Sequence, residues 1–201
     1  MPPCSSAVPL LLEAPSWRNH SAMTNPPAIT IRPEQPGDAP AIAAVLRAAF
    51  GHDAEARLVE TLRRDGDLSL SLVALGGDRI VGHIAFSRIS ILDKGRETTA
   101  VSLAPLAVLP GAQHGGIGSA LVEEGLRRIA ESGVRLAFVI GDPAFYRGFG
   151  FAVEPAQPFR SLWTKAPGAT HMVRALRPGG LEGLAGTVRY PAAFADLPRT
   201  A

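Results

Sequence analysis

Cysteine is nearly missing: the 201 residues hold one, Cys4. That excludes an intrachain disulfide framework and suits a reducing cytoplasm. Lysine is almost as scarce, with only Lys94 and Lys165, so arginine carries the basic charge. Net charge is +2, and no basic run is interleaved with aromatics, so the footprint of a nucleic-acid groove is absent. No apolar run nears the ~20 residues that span a bilayer, which argues against a membrane partner. What remains is a chain with an ordinary apolar share of 46%, long enough for one domain with a sizeable core.

Met1 to Ala28 differs from the rest. It is proline-rich (Pro2, Pro3, Pro9, Pro15, Pro26, Pro27), and its one apolar patch, Val8 to Leu12, is broken by Pro9. No basic segment precedes that patch, so it does not read as a secretory signal. The expectation is a disordered leader over 1–28, with Met23 an alternative start and Trp17 the one residue that offers a docking peptide. A single domain is expected over 29–201.

The informative stretch runs from Ser102 to Arg128. Leu103 to Leu109 is an apolar run of strand length, ended by Pro110 and Gly111. Gln113, His114, Gly115, Gly116, Ile117, Gly118 and Ser119 follow as a tight loop. A helix then opens near Ile117, with Leu121, Val122, Leu126 and Ile129 on one face. Glu123 and Glu124 are spaced to pair with Arg127 and Arg128. Glycines before a helix N-terminus let an anion approach free N–H groups. The loop lacks the Gly-Lys-Ser/Thr of a Walker loop and the third glycine of a dinucleotide fingerprint. Glycine content alone leaves a plain strand–helix connection open. Pro105 cannot donate a ladder bond, so it marks an edge or a bulge, and a bulge there would free backbone groups for a ligand.

The spacing Gln-x-x-Gly-x-Gly at Gln113, Gly116 and Gly118, after Leu106-Ala107-Val108, resembles the acyl-CoA loop of the GNAT family of N-acetyltransferases. A second stretch, Gly141-Asp142-Pro143-Ala144-Phe145-Tyr146 through Gly150-Phe151, resembles the motif after that family's fifth strand and a bacterial subgroup of it. The tail Gly186 to Phe194 is also similar to that subgroup. The resemblance covers about Ile29 to Phe194. It implies the GNAT fold, an α/β (α+β) architecture with a mixed, mostly antiparallel central sheet and flanking helices. It also implies acetyl-CoA as cosubstrate, an amine acceptor, no metal and frequent homodimers. Leu106, Ala107 and Val108 would hold the pantetheine arm, with the Leu106 backbone amide as oxyanion donor. Gln113, His114, Gly115, Gly116, Ile117, Gly118 and Ser119 would grip the pyrophosphate. Tyr146 would touch the cofactor and act as general acid, since a phenol is protonated at neutral pH. A non-catalytic acyl-CoA sensor is the alternative.

The remaining chain supplies scaffold. Ile29 to Arg32 reads as a strand; Asp38 and Pro40 open a helix to about Phe50, and a second helix covers Ala54 to Arg64. His52, Asp53 and Glu55 read as a solvated loop rather than a metal site. Ser69 to Leu75 and Arg79 to Ile89 form a hairpin around Gly76-Gly77-Asp78, with Leu92 to Glu97 a polar turn. His83 could be a base, but reads first as a partly buried structural histidine. Val134 to Ile140 is a buried strand parallel to the one before it, ended by a turn in which Asp142 caps a short helix. His171 to Leu176 is a further strand. Phe159 and Trp163 are candidate lid contacts or covering side chains. No carboxylate stands on the strand at Ser102, Ala104 and Leu106. The base is left among Glu97, Asp142, a water chain and an amine arriving neutral.

Overall fold

The computed structural model describes residues 29–161 and 170–197. The expected leader over 1–28 and its Trp17 lie outside the described residues, as does Trp163.

The order of elements is β1 (Ile29–Pro33), α1 (Ala39–Phe50), α2 (Ala54–Asp65), β2 (Leu68–Gly76), β3 (Arg79–Asp93) and β4 (Arg96–Val108). Then come α3 (Ile117–Glu131), β5 (Leu136–Ile140), α4 (Pro143–Tyr146), β6 (Phe159–Arg160), β7 (His171–Ala175) and β8 (Gly186–Arg189). The strands form one eight-stranded sheet with path β1-β2-β3-β4-β5-β7, while β8 joins β3 and β6. Only β4–β5 and β6–β8 pair in parallel; the other ladders are antiparallel. The sheet is therefore mixed and mostly antiparallel, as the resemblance implied.

Two layers of helix cover it. Along β3, Ile84 and Phe86 face α3 and its Leu121, Val122 and Leu126. His83 and Ala85 face the other way, where Ala85 joins Val73 and Ala107 beneath Ile42, Val45 and Leu46 of α1. This alternation is the period of two that a strand imposes on side chains. Gly125 brings α3 close: a Cβ there would lie 2.4 Å from the buried Phe86 ring.

Several local expectations change. β3 and β4 run on through the residues read as a polar turn, pairing Leu92 with Glu97 and Asp93 with Arg96. The turn is Lys94-Gly95 alone, both at positive φ (46° and 79°), the geometry that suits a two-residue hairpin. Asp38 stands at the N-cap of α1, but its side chain makes no cap bond. Its carboxylate accepts from Arg32 Nη1 at 2.6 Å and Nη2 at 3.1 Å, because a charged guanidinium fork outcompetes a neutral helix N–H. On α3, Glu124 takes both arginines, Arg127 Nε at 2.8 Å and Arg128 Nε at 2.6 Å. Among the described residues Glu123 has no such pair; the other side of Arg127 reaches Glu131 instead. Phe159 is not a lid: it is 1% exposed and sits edge-on to Phe138 at 5.1 Å.

Candidate functional site

A parted pair of strands sets the site. β5 pairs with β4 only at Val101, Ser102 and Leu103. Beyond Leu103, β4 stays bonded to β3 as far as Val108, and among the described residues no strand follows on its other side. Of the edge or bulge that Pro105 allowed, the structure has the bulge: Leu103 pairs with Phe86 and Leu106 with Ile84, so Ala104 and Pro105 together face Ala85. The backbone of β4 beyond the bulge can be oriented from one bond. Leu109 N–H donates to Val81 O on the β3 side at 2.9 Å. Backbone groups alternate sides along a strand, so Ala107 N–H also faces β3, while those of Leu106 and Val108 face the gap.

The loop that follows is turned by two residues at positive φ, His114 (63°) and Gly116 (81°). Gly116 is the N-cap of α3, so Ile117, Gly118 and Ser119 lead the helix with N–H groups that have no intrahelical acceptor. The side chain of Gln113 folds back and donates to Val108 O at 3.0 Å, tying the loop to the free edge of β4. A cleft of about 340 Å³ lies here. Leu106, Val108, Gln113, His114, Gly116, Ile117, Gly118 and Ser119 line it, together with Ala112 and Phe145. Ala107, Gly115 and Tyr146 do not. Ala107 points to α1 and is 3% exposed, the consequence of strand alternation. Phe145 is the residue the sequence reading missed. Its aromatic neighbourhood was the available signal, and its ring tip lies 3.9 Å from where a Gly118 Cβ would stand.

Tyr146 closes α4, one residue beyond that lining. Asp142 caps the helix, its Oδ1 accepting from Ala144 N–H at 2.8 Å. The Tyr146 ring stands edge-on to Phe145 at 4.9 Å and to Phe151 at 5.8 Å. It also lies against the bare backbone of Gly141, where a Cβ would be 2.7 Å from its Cε2. Burial pushes the phenol up to about 12, so it is a proton-bearing group at neutral pH.

The opposite face of the sheet holds the polar groups. His83 is fully buried, not partly buried as expected, because α1 lies over it. Its Nε2 donates to Ser71 Oγ at 2.9 Å, and Ser71 Oγ donates to Glu34 Oε2. Glu34 Oε1 in turn accepts from Arg63 Nε at 2.7 Å. Burial, partly offset by Glu34 and reinforced by Arg63, lowers the imidazole to about 4. Glu97 is exposed near the start of β4, nine residues and so roughly 30 Å of strand from Leu106, too far to serve as its base. Near the first helix pair, His52 meets Glu55 at 3.0 Å and Arg47 meets Asp53. Among the described residues no group of three or more His, Cys, Asp or Glu could hold a metal, and no helix is long and apolar enough to cross a membrane.

Comparison with known proteins agrees with this geometry. Residues 30–153 match the family described as an acetyltransferase (GNAT) domain. The chain is 40% identical over 161 residues to the Escherichia coli K12 protein named uncharacterized N-acetyltransferase YhbS, covering 80% of this chain and 95% of that one. The crystal structure of E. coli YhbS in complex with CoA superposes with a TM-score of 0.76 at 39% identity, over 83% of this chain and 92% of that one. A GNAT family acetyltransferase from Brucella melitensis in complex with acetyl-CoA gives 0.69 at 35% identity, over 83% and 98%. The parted strands, the glycine turn and these likenesses point the same way, and the chain belongs to the GNAT acetyltransferase family.

Proposed function

We propose that the protein transfers the acetyl group of acetyl-CoA directly to a primary amine. The observation that carries the reading is the edge of β4 beyond Pro105. It presents Leu106 and Val108 N–H groups to a gap that opens beside the free N–H groups at the start of α3. An extended pantetheine arm would add to this edge as a strand does, while the helix N-terminus takes the pyrophosphate. The crystal structures of two relatives with CoA or acetyl-CoA support the ligand.

In this reading the thioester lies along β4, and the Leu106 N–H hydrogen-bonds its oxygen as negative charge develops there. The amine attacks the carbonyl carbon, a C–N bond forms, the C–S bond breaks, and the sulfur leaves as a thiolate. Tyr146 keeps its proton at neutral pH and donates a hydrogen bond to that sulfur. Its raised pKa makes full transfer to a thiolate of ordinary basicity uphill, so positioning of the O–H matters more than acidity. Much of the rate comes from holding the two reactants in line.

The test is thermal unfolding with acetyl-CoA, with ATP and NAD as controls. A ligand at one hundred times its Kd adds about 2.7 kcal/mol of stability. A shift with acetyl-CoA alone, followed by thiol release with a primary amine, supports the reading. No shift at millimolar acetyl-CoA overturns it. Tight binding without turnover on a broad amine panel would instead leave a cofactor sensor.

A further inference from the structure

Acetyl transfer sheds a proton from the amine; Glu97 lies too far along β4 to receive it, and Asp142 Oδ1 is engaged in capping α4. We propose that His171, the first residue of β7, stands at the mouth of the β4–β5 gap on the face opposite α3, meets the acceptor amine and takes its proton. The inference rests on the reading given under Proposed function.

Three observations carry it. His171 is the register partner of Ile140, the last residue of β5, and Ile140 and Ala104 are the first residues past the last β4–β5 pair. His171 therefore lies level with the point where the strands part, one strand away across β5. Partners in a ladder share a face, and His171 stacks on Phe138 at 5.3 Å. Phe138 shares its face with Ser102, Ser87 and His83 by register, which is the α1 side. Tyr146, at the same end of β5, packs with the α3 cluster. The proposed acid and the proposed base thus stand on opposite faces of one gap.

The second observation is burial without partners. His171 is 7% exposed, yet both of its ring nitrogens lack a hydrogen-bond partner among the described residues. Ser87 Oγ, on the same face, is also buried and unpartnered. Tyr190, Ala104 and Ile140 all pack against the Leu58, Leu62 and Phe194 cluster, with the buried Tyr190 hydroxyl turned toward Ser102. A buried polar group left unpaired is costly, so unpaired groups level with a strand gap suit a subsite that a ligand completes.

The third observation is the chemistry of the surroundings. Leu58, Leu62 and Phe194 wall this side of Ala104 and Ile140, which suits an amine on an apolar stem. Burial holds the His171 imidazole near 4, so it is neutral and keeps a lone pair. A neutral amine attacks first; the nitrogen then carries a positive charge and is more acidic than a free ammonium. Its proton passes to His171, the thiolate leaves toward Tyr146, and His171 returns the proton to water.

The α-bromoacetyl thioester of coenzyme A tests this whichever amine is the acceptor. Its bromomethyl carbon occupies the place of the acetyl methyl group. An imidazole nitrogen in position displaces bromide, forms an N–C bond and loses its N–H proton to water. The protein carries Cys4→Ser so that the single thiol does not react. The expected result is one adduct on the His171 peptide by mass spectrometry. Excess CoA should suppress it, and His171→Gln should abolish it while keeping the thermal shift with acetyl-CoA. An adduct on another residue, or none while the shift shows that the reagent binds, overturns the role of His171 and leaves the acetyl-CoA reading standing. If neither acetyl-CoA nor the reagent shifts unfolding, the cofactor reading itself falls and this inference falls with it.

Discussion

Lowering the pH from 7 to 5 should destabilise this protein through two buried histidines before its carboxylates matter. His83 and His171 both have imidazoles lowered to about 4, against roughly 6.5 in the unfolded chain. Between those values the unfolded state binds the proton and the folded state does not, so stability is lost as pH falls through this window. At pH 5 the difference amounts to about 2 kcal/mol for each histidine, and near pH 7 it is close to zero. The two sit on different strands with no shared partner, so their effects should add to about 4 kcal/mol. That is a large share of a total of roughly 5–15 kcal/mol. The carboxylate side lies lower: two arginines hold Glu124 at about 2, so its contribution starts to fall only below its ordinary value. The assay is urea unfolding at pH 7 and pH 5. With a slope of about 2 kcal/mol per molar urea for a chain of this size, each histidine shifts the midpoint by about 1 M. His83→Gln and His171→Gln should each remove about half of the pH effect, whatever they cost at pH 7. An unchanged wild-type midpoint across this range would refute the reasoning, as would a His83→Gln variant that keeps the full slope.

Gly118→Leu should abolish the thermal shift with acetyl-CoA at little cost in stability. Its Cβ would stand 3.8 Å from Val108 and 3.9 Å from Leu106 and Phe145, so the longer side chain fills the cleft; an unchanged shift would remove the cleft from the binding site. Gly141→Ala should lower turnover about 100-fold with acetyl-CoA binding kept. The new methyl, 2.7 Å from Tyr146 Cε2, must displace the ring by several tenths of an ångström, and ångström-scale misplacement costs about that much; full turnover would separate Tyr146 from the chemistry. Gly125→Ala should cost about 1–3 kcal/mol of stability by overpacking against Phe86, read as a lower urea midpoint; a neutral result would mean that α3 can shift outward freely.

Much of this molecule is local and was legible as such. The loop from Gln113 to Ser119, the helix face of Leu121, Val122, Leu126 and Ile129, the Asp142 cap and the hairpin at Gly77 are written in residues a few positions apart. Sequence patterns also placed β5 parallel to β4 and an edge or bulge at Pro105, because a proline inside an apolar strand has few other uses. Those features carry the likeness to the family.

Only the tertiary structure decided the other face. The bond from Ser71 to Glu34 spans 37 residues, and the pairing of His171 with Ile140 joins strands separated in the chain by α4 and β6, so no short window of sequence contains either. Arg32 drew Asp38 from its cap, α1 buried His83 completely, and Phe159 went into the core rather than over a site. Phe145 lines the cleft in place of its neighbour Tyr146. In each case the outcome depends on which strand lies beside which, and in what register. Periodicity shows which residues share a face within one element; it does not show what that face meets. The gap between β4 and β5, with Tyr146 on one side and His171 on the other, exists only once the sheet is assembled.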